Sequence, residues 1–480
     1  MKKILSSILA IFFIASAGTM RAENIGVPSE CEDVMLQAFY WDSYKLTKYG
    51  RTKWMDLVTD TVAIRDNFDL VWFPPSASGG GVGYTPKQYS NQDSDWGSRQ
   101  TLTKLIAALH RGNTKAIADI VINHRGNNNT WCNFLQDYFG TYGNYQLTAN
   151  HICKNDEVNS DSKAGSCKGA ATGEYDTGTN FDGARDLDHT NEYVQSWAKA
   201  YVKWMKSSMQ YDGFRYDMTK GYNGKYLSMY NEEALPYLSV SECWDNVTVQ
   251  KNHLNAANKN TMIFDFPLKF SLNDFYGGSY GKLNKAKNTN SLRAQGLEKY
   301  SVTFIDNHDT FEREDSQGSE FGGYLVDLSN ATVKNYILQA NAYILTMPGV
   351  PCVFWPHWYK YQSEINELIA VRKRAGIHSE SEVTDEQSGL NLYSATIQGH
   401  RGSVVLRLGS RRSTLGDPEG YEVAVEGGDR GAYTIFIRMN DQAVENVEGE
   451  SLKGIKFMKD GHLYIRRGEQ VYDILGNKIQ

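Results

Sequence analysis

Four short runs of the chain place carboxylates beside histidine, arginine or asparagine at the end of an apolar stretch. They are Asp119-Ile-Val-Ile-Asn123-His124, Gly213-Phe-Arg215-Tyr-Asp217-Met-Thr-Lys220, Glu242-Cys-Trp244-Asp245 and Ile305-Asp306-Asn-His308-Asp309. If the runs converge, Asp217, Glu242 and Asp309 offer a nucleophile, a proton donor and a charge stabiliser, which is the equipment for breaking a glycosidic bond. A retaining mechanism needs two carboxyl groups about 5–5.5 Å apart, one attacking the anomeric carbon while the other protonates the leaving oxygen. Arg215 stands two residues before Asp217, so it should point the same way and help to keep that carboxylate ionised. Glu242, followed by Trp244, would sit in a less polar wall that retains its proton near neutral pH. One aspartate at a strand end is most often a helix cap or a loop hydrogen-bonder. The reading therefore rests on four runs acting together.

The elements that must position these groups are eight apolar runs in order: 34–40, 70–73, 116–122, 213–218, 238–244, 262–266, 301–305 and 350–355. Residues 52–66, 101–111, 192–210, 332–346 and 363–374 repeat apolar residues at helical spacing between them. This alternation predicts an α/β fold, a (β/α)8 TIM barrel, whose reacting groups come from the carboxyl ends of its strands. A doubly wound open sheet has the same periodicity, which does not report closure. In the barrel Asp217 and Glu242 fall on neighbouring strands, whose spacing of about 4.8 Å suits the required separation.

One connection is far longer than a usual βα loop: residues 124–189 form an inserted subdomain with few apolar residues, expected to need a metal ion and a disulfide to hold it. The barrel with this insertion spans 23–376. From 377 to 439 the pattern changes to antiparallel alternation with Gly/Asp turns, a C-terminal β-sheet domain. Residues 440–480 form an extension in which 462–466 and 470–475 read as strands.

The 480 residues carry 50 Lys+Arg against 56 Asp+Glu, with no basic run, so nucleic acid is excluded as an expected partner. Aromatic residues make up 12%, which leaves rings to stack on flat ligands as well as to fill the core. Residues 1–22 read as an export signal, with Lys2 and Lys3, an apolar run, and small residues for cleavage after Ala17 or Ala22. No later stretch is apolar enough to span a membrane, so the expected location is periplasm, cell surface or medium. Of six cysteines, Cys153 and Cys167 share one polar loop and are the first-choice disulfide, with Cys132–Cys153 as its rival. Cys243 and Cys352 are expected to be buried thiols.

The four runs resemble, in order and spacing, the signature regions of the α-amylase family of glycoside hydrolases (family 13 clan). Gln37-Ala-Phe-Tyr-Trp41, Gly83-Tyr84-Thr-Pro86, Asp186-Leu-Asp-His189, Lys220-Gly221-Tyr222 and residues 343–352 resemble its plant-type branch. The resemblance implies a calcium-stabilised retaining endo-hydrolase of α-1,4-glucans such as starch and glycogen. Its alternatives are an α-glucosidase or transglycosylase of the same family, or a glucan-binding protein without turnover. It implies Asp217 as nucleophile, Glu242 as general acid/base and Asp309 as the acid that holds sugar hydroxyls. Tyr84, His124, Arg215 and His308 match positions around the sugar at the cleavage point, and Lys220 and Trp244 match contacts to the leaving-group sugar. For calcium it implies Asn123, Asp186 and the Gly221 carbonyl, with Asp176 and Asn180 at a further site where the branch carries acids.

Overall fold

The computed structural model describes residues 24–274, 278–311, 327–427 and 432–440, with strands at 455–459, 462–467 and 470–473. The export signal expected at 1–22 lies outside the described residues.

Eight strands close into a parallel barrel: β1 (Met35–Gln37), β2 (Leu70–Trp72), β3 (Lys115–Ile120), β4 (Gly213–Tyr216), β5 (Ser239–Ser241), β6 (Met262–Phe264), β7 (Ser301–Phe304) and β8 (Val350–Phe354). Closure is made by β1 against β8, with Met35 beside Cys352 and Gln37 beside Phe354. Every strand residue except Lys115 is buried, because the sheet is covered on both faces. Each apolar run begins near its strand but outlasts it. The residues just past the strand ends lead onto the barrel mouth, and they include Asp217, Glu242 and His308.

Around the barrel lie α1 (Trp54–Asn67), α2 (Arg99–His110), α3 (Glu192–Ser207), α4 (Gly224–Ala234), α5 (Val247–Ala256), α6 (Phe266–Asp274), α7 (Ala331–Thr346), α8 (Trp355–Lys360) and α9 (Gln362–Ala375). Side chains of Ser98, Asn191, Asn223, Asn246 and Asn330 cap the starts of α2, α3, α4, α5 and α7, accepting backbone N–H bonds that the first helical turn cannot satisfy. None of α4, α5, α6 and α8 was expected. They are short, and α6 and α8 each carry a proline at their start, which fits the first turn of a helix but breaks an apolar pattern.

The insertion corrects two expectations. Its scattered apolar residues do form a core, since Phe134, Phe139, Leu147, Ile152 and Val158 are buried and continuous with the barrel core. Beneath them a fully buried ion pair, Arg125 Nη1 to Asp137 Oδ2 at 3.1 Å, is completed by Trp197 Nε1 (3.0 Å) and Tyr89 N (2.7 Å) donating to the same carboxylate. The disulfide joins Cys132 to Cys167, so neither the Cys153–Cys167 nor the Cys132–Cys153 pairing occurs. Cys153 is buried away from that pair, with its thiol bonded to Asp176. Cys243 and Cys352 are buried free thiols, as expected.

The C-terminal domain is a five-stranded antiparallel sheet of β9 (Val383–Gly389), β10 (Leu392–Gln398), β11 (Gly402–Leu408), β12 (Glu422–Gly427) and β13 (Tyr433–Met439), in the order β9-β10-β11-β13-β12. The edge strand β9 escaped notice because it is polar and largely exposed. Buried Arg372 on α9 ties the barrel end together by donating to the carbonyls of Leu345 (3.3 Å), Met347 (3.1 Å) and Gly349 (2.8 Å). Arg293 and Tyr393 both bond Glu386 and lock the sheet to the barrel. The extension contains a three-stranded antiparallel sheet, β14 (Ile455–Lys459), β15 (His462–Arg467) and β16 (Gln470–Asp473), of which β14 was not expected. No described helix is long and apolar enough to cross a membrane.

Candidate active site

The two central acids face each other because of the β4–β5 register. Arg215 lies beside Val240 and Tyr216 beside Ser241, so the next step brings Asp217 alongside Glu242. The ladder continues past the strand ends, with Glu242 N–H donating to Tyr216 O (2.9 Å) and Thr219 N–H to Glu242 O (3.0 Å). Met218 then turns into the left-handed region at φ 43°, which costs a non-glycine residue about 1–2 kcal/mol. That turn aims its N–H at Glu242 Oε2, 2.9 Å away. It also starts the short helical turn that carries Lys220, whose Nζ is held by Asp245 Oδ2 (2.9 Å) and Trp244 O (3.0 Å).

A single guanidinium serves three carboxylates. Arg215 Nη1 contacts Asp119 Oδ1 at 2.8 Å and Asp217 Oδ1 at 2.7 Å, while Nη2 contacts Glu242 Oε2 at 2.7 Å. This changes the expected electrostatics. Burial pushes Asp217 up to about 7, and Arg215 only partly offsets it, with Asp119 and Asp309 pushing further in the same direction. Arginine therefore does not leave Asp217 with a depressed pKa. Burial also lifts Glu242 to about 8, again against Arg215 and with help from Asp217 and Asp309. Desolvation is the larger effect at both acids. One positive charge is spread over three negative neighbours, so the cluster holds a proton above the ordinary carboxylate range.

Aromatic rings wall the cleft. Trp41, Tyr84 and His308 lie parallel to within 5°, with Tyr84 and His308 centroids 5.0 Å apart. Gln37 Nε2 donates to His308 Nδ1 (3.0 Å), which leaves the ring proton on Nε2, 3.2 Å from Asp309 Oδ2. His124 Nε2–H donates to Tyr84 O (2.8 Å), and burial lowers the His124 pKa to about 4, so this ring is neutral. Phe181 from the insertion stacks on His124 at 4.4 Å, and Trp244 stacks on Phe266 at 4.6 Å. The cleft encloses about 460 Å³. Its lining includes Asp217, Glu242, Asp309, Tyr84, His124, His308, Lys220 and Trp244, together with Trp41 and Phe181. Arg215 lies beneath this surface, fully buried.

The catalytic-domain profile of the α-amylase family (Alpha amylase, catalytic domain) matches residues 67–235. Probable alpha-amylase 2 of Arabidopsis thaliana is 30% identical over 388 residues, covering 76% of this chain and 86% of that protein. The chain belongs to the α-amylase family. Alpha-amylase 3, chloroplastic, of the same plant is 27% identical over 83% of this chain, which spans 43% of that longer protein. Among solved structures, an α-amylase from Anoxybacillus shares the fold with a TM-score of 0.61 at 13% identity, covering 85% of this chain and 98% of that one. Both plant proteins are α-amylases, which agrees with the plant-type resemblance, and the chain is a glycoside hydrolase of this family.

Four site residues of this α-amylase family member were given no role by the sequence. Asp119 accepts from Arg215, from Tyr84 OH (2.8 Å) and from Trp72 Nε1 (3.1 Å), and so joins the cleft floor to its aromatic wall. Its signal was an acid inside a buried strand, a placement that is costly without a partner. Trp41 and Gln37 lay in a recognised run without being given roles. Phe181 sat in a polar stretch with no local cue.

Beside the cleft the expected metal residues come together. Asn123 Nδ2 donates to Asp186 Oδ1 (3.2 Å), and a Cβ on Gly221 would lie 1.8 Å from Asn123 Oδ1, so only glycine allows this approach. Asn155 Nδ2 bridges Asp176 Oδ2 (2.9 Å) and Asn180 Oδ1 (3.1 Å). Burial, with Asp176 and Asp156 nearby, pushes Asp186 up to about 9. At this cluster Arg185 contacts Asp156 at 3.6 Å and also pairs with Glu157. A set of carboxylates, amide oxygens and backbone carbonyls short of positive charge fits a hard divalent cation.

Proposed function

We propose that the chain is an exported, calcium-stabilised α-amylase that cleaves internal α-1,4 bonds of starch, glycogen and related glucans with retention of configuration. The observation that carries this reading is the pair Asp217 and Glu242 on one guanidinium at the floor of an aromatic-walled cleft, with Asp309 beside them.

Glu242, whose pKa burial lifts to about 8, protonates the glycosidic oxygen. Asp217, ionised and aligned by Arg215, attacks the anomeric carbon to form a glycosyl-enzyme. The leaving sugar departs across Lys220 and Trp244. Glu242, now a carboxylate, takes a proton from the water that attacks the same carbon, and two inversions give net retention. Tyr84 stacks under the reacting sugar, and His124, His308 and Asp309 hold its hydroxyls. Asn123, Asp186 and the Gly221 carbonyl would hold calcium, with Asp176 and Asn180 contributing to a further ion. Bound calcium supplies the positive charge that the acids of the insertion lack. The signal-like residues 1–22 support export, with the mature chain in periplasm, at the cell surface or in the medium.

The test is hydrolysis of soluble starch by wild type and Glu242→Gln. The variant should lose about 10²–10⁴-fold in kcat, the usual contribution of general acid catalysis. Equal rates would overturn the assignment of Glu242, and no hydrolysis by either form would identify a binding protein without turnover. Early products of wild type should be mixed oligosaccharides, whereas glucose alone would point to an α-glucosidase.

A further inference from the structure

At the amino-terminal end of the barrel, three segments meet that the proposed reaction does not use. The segment before β1 runs beside the link after α9, with Ser379 N–H donating to Cys31 O (2.9 Å) and Cys31 N–H to Ser379 Oγ (3.0 Å). The β10–β11 turn closes over this link, His400 N–H donating to Gly376 O and Arg401 N–H to Ala375 O, each at 3.0 Å. The three segments contribute Glu30, His378 and His400. One ligand atom from each lies within 4.8 Å of the others, the one such trio of His, Cys or carboxylate groups among the described residues.

We propose that Glu30, His378 and His400 bind a divalent cation of the zinc class, clipping the amino-terminal segment and the C-terminal sheet to the end of the barrel. Two imidazoles and one carboxylate are a borderline donor set that suits zinc and leaves a fourth position for water, whereas calcium takes oxygen ligands. His400 is already oriented for ligation. Its Nδ1 bonds Glu32 Oε1 (2.9 Å), a carboxylate–histidine arrangement that directs Nε2 toward Glu30 Oε2, 3.4 Å away. Glu30 is held in the left-handed region at φ 45°, a conformation disfavoured for any residue with a Cβ, while its N–H donates to Glu380 Oε1 (3.0 Å). The His378 ring is buried. Its one hydrogen bond among the described residues is long, 3.3 Å from Glu380 N–H to Nδ1. The two rings stack at 4.2 Å with planes 15° apart. Bonds of about 2.0–2.1 Å to one ion require a ring to turn out of the stack, and exposed His400 has the room to do so.

The test is calorimetric titration of the full chain, stripped with chelator and then restored to calcium, with zinc chloride. Wild type should take up one zinc ion saturably at this site, and its melting temperature should rise. At zinc concentrations 100 times Kd the folding equilibrium should favour the native state about 100-fold more. His400→Gln and Glu30→Gln, both at exposed positions, should lose this uptake, and Glu32→Gln should weaken it about 10–100-fold through the orienting bond alone. No saturable uptake by wild type, or uptake of equal affinity in His400→Gln and Glu30→Gln, overturns the proposal.

Discussion

Replacing Asp119 by asparagine removes one of the three negative charges on Arg215 without changing any group that lines the cleft. The amide keeps the side-chain volume, and with its oxygen toward Tyr84 OH and Trp72 Nε1 it preserves both of those bonds. It turns an NH2 toward Arg215, so the guanidinium is left to Asp217 and Glu242. Because Asp119 and Asp217 contact the same nitrogen at 2.8 and 2.7 Å, they lie within about 5.5 Å of each other. At an effective dielectric of about 20, two unit charges at that separation repel by about 3 kcal/mol, or about two pKa units. Losing a negative neighbour favours the ionised form, so Asp217, held up to about 7, should fall by one to two units. The acidic limb of kcat/KM for a maltooligosaccharide reports the free enzyme's essential base and should move down by that amount, while the alkaline limb moves less. The two limbs belong to the coupled acids together, so the measured quantity is the displacement of the profile. The plateau should drop as well, because Arg215 loses a partner. An acidic limb unmoved in a folded Asp119→Asn variant, or one displaced upward, would refute the idea that crowding of acids around one arginine sets the working pH.

Other perturbations give distinct readouts. Trp41→Ala should lower kcat/KM several-fold, as expected for losing aromatic stacking worth about 0.5–1.5 kcal/mol at the parallel wall it forms with Tyr84 and His308; an unchanged value would remove Trp41 from the site. Cys167→Ser should cost about 2–4 kcal/mol of stability in thermal unfolding, whereas Cys153→Ser should leave the cross-link intact on non-reducing peptide mapping; a Cys153-linked peptide from wild type would contradict the observed pairing. Thorough chelation should lower the melting temperature and the starch-hydrolysing rate together, and calcium should restore both. An unchanged melting temperature would count against the metal reading of Asn123 and Asp186.

The barrel was legible because its strands are buried on both faces and so appear as continuous apolar runs. The same property blurred their ends, since Asp217 and Glu242 follow directly on the buried ladder residues Tyr216 and Ser241 and are themselves buried. The four strand-end runs led to one cleft because strands of a closed parallel barrel all end at the same mouth. What could not be read were features set by contacts distant in sequence. The core of the insertion consists of single apolar residues spaced through a polar stretch, with no period to detect, and its disulfide depends on how that core folds. Cys153 is close to Cys167 along the chain but is turned toward Asp176. Arg215 was rightly associated with Asp217. It does lower the Asp217 pKa as expected, but sequence spacing reports neither the depth of burial nor the neighbouring carboxylates that outweigh it.

The cleft and the insertion share a shortage of positive charge, met in different ways. At the cleft, Asp119, Asp217 and Glu242 surround Arg215, and the excess of acid is relieved by a proton held at Glu242. That proton is the one the proposed reaction donates, so an added cation there would remove the acid on which the chemistry depends. In the insertion, Asp156, Asp176 and Asp186 face one arginine, and no proposed step uses a proton held there. A divalent ion can then replace protons and fix Asn123 and Asp186 at the root of the loop that carries His124. If this division is correct, calcium acts on the cleft through His124 and its Phe181 stack, so its removal should raise KM more than it lowers the rate of the protonation step. An isolated fall in kcat on chelation, with KM unchanged, would show instead that the ion reaches the acids themselves.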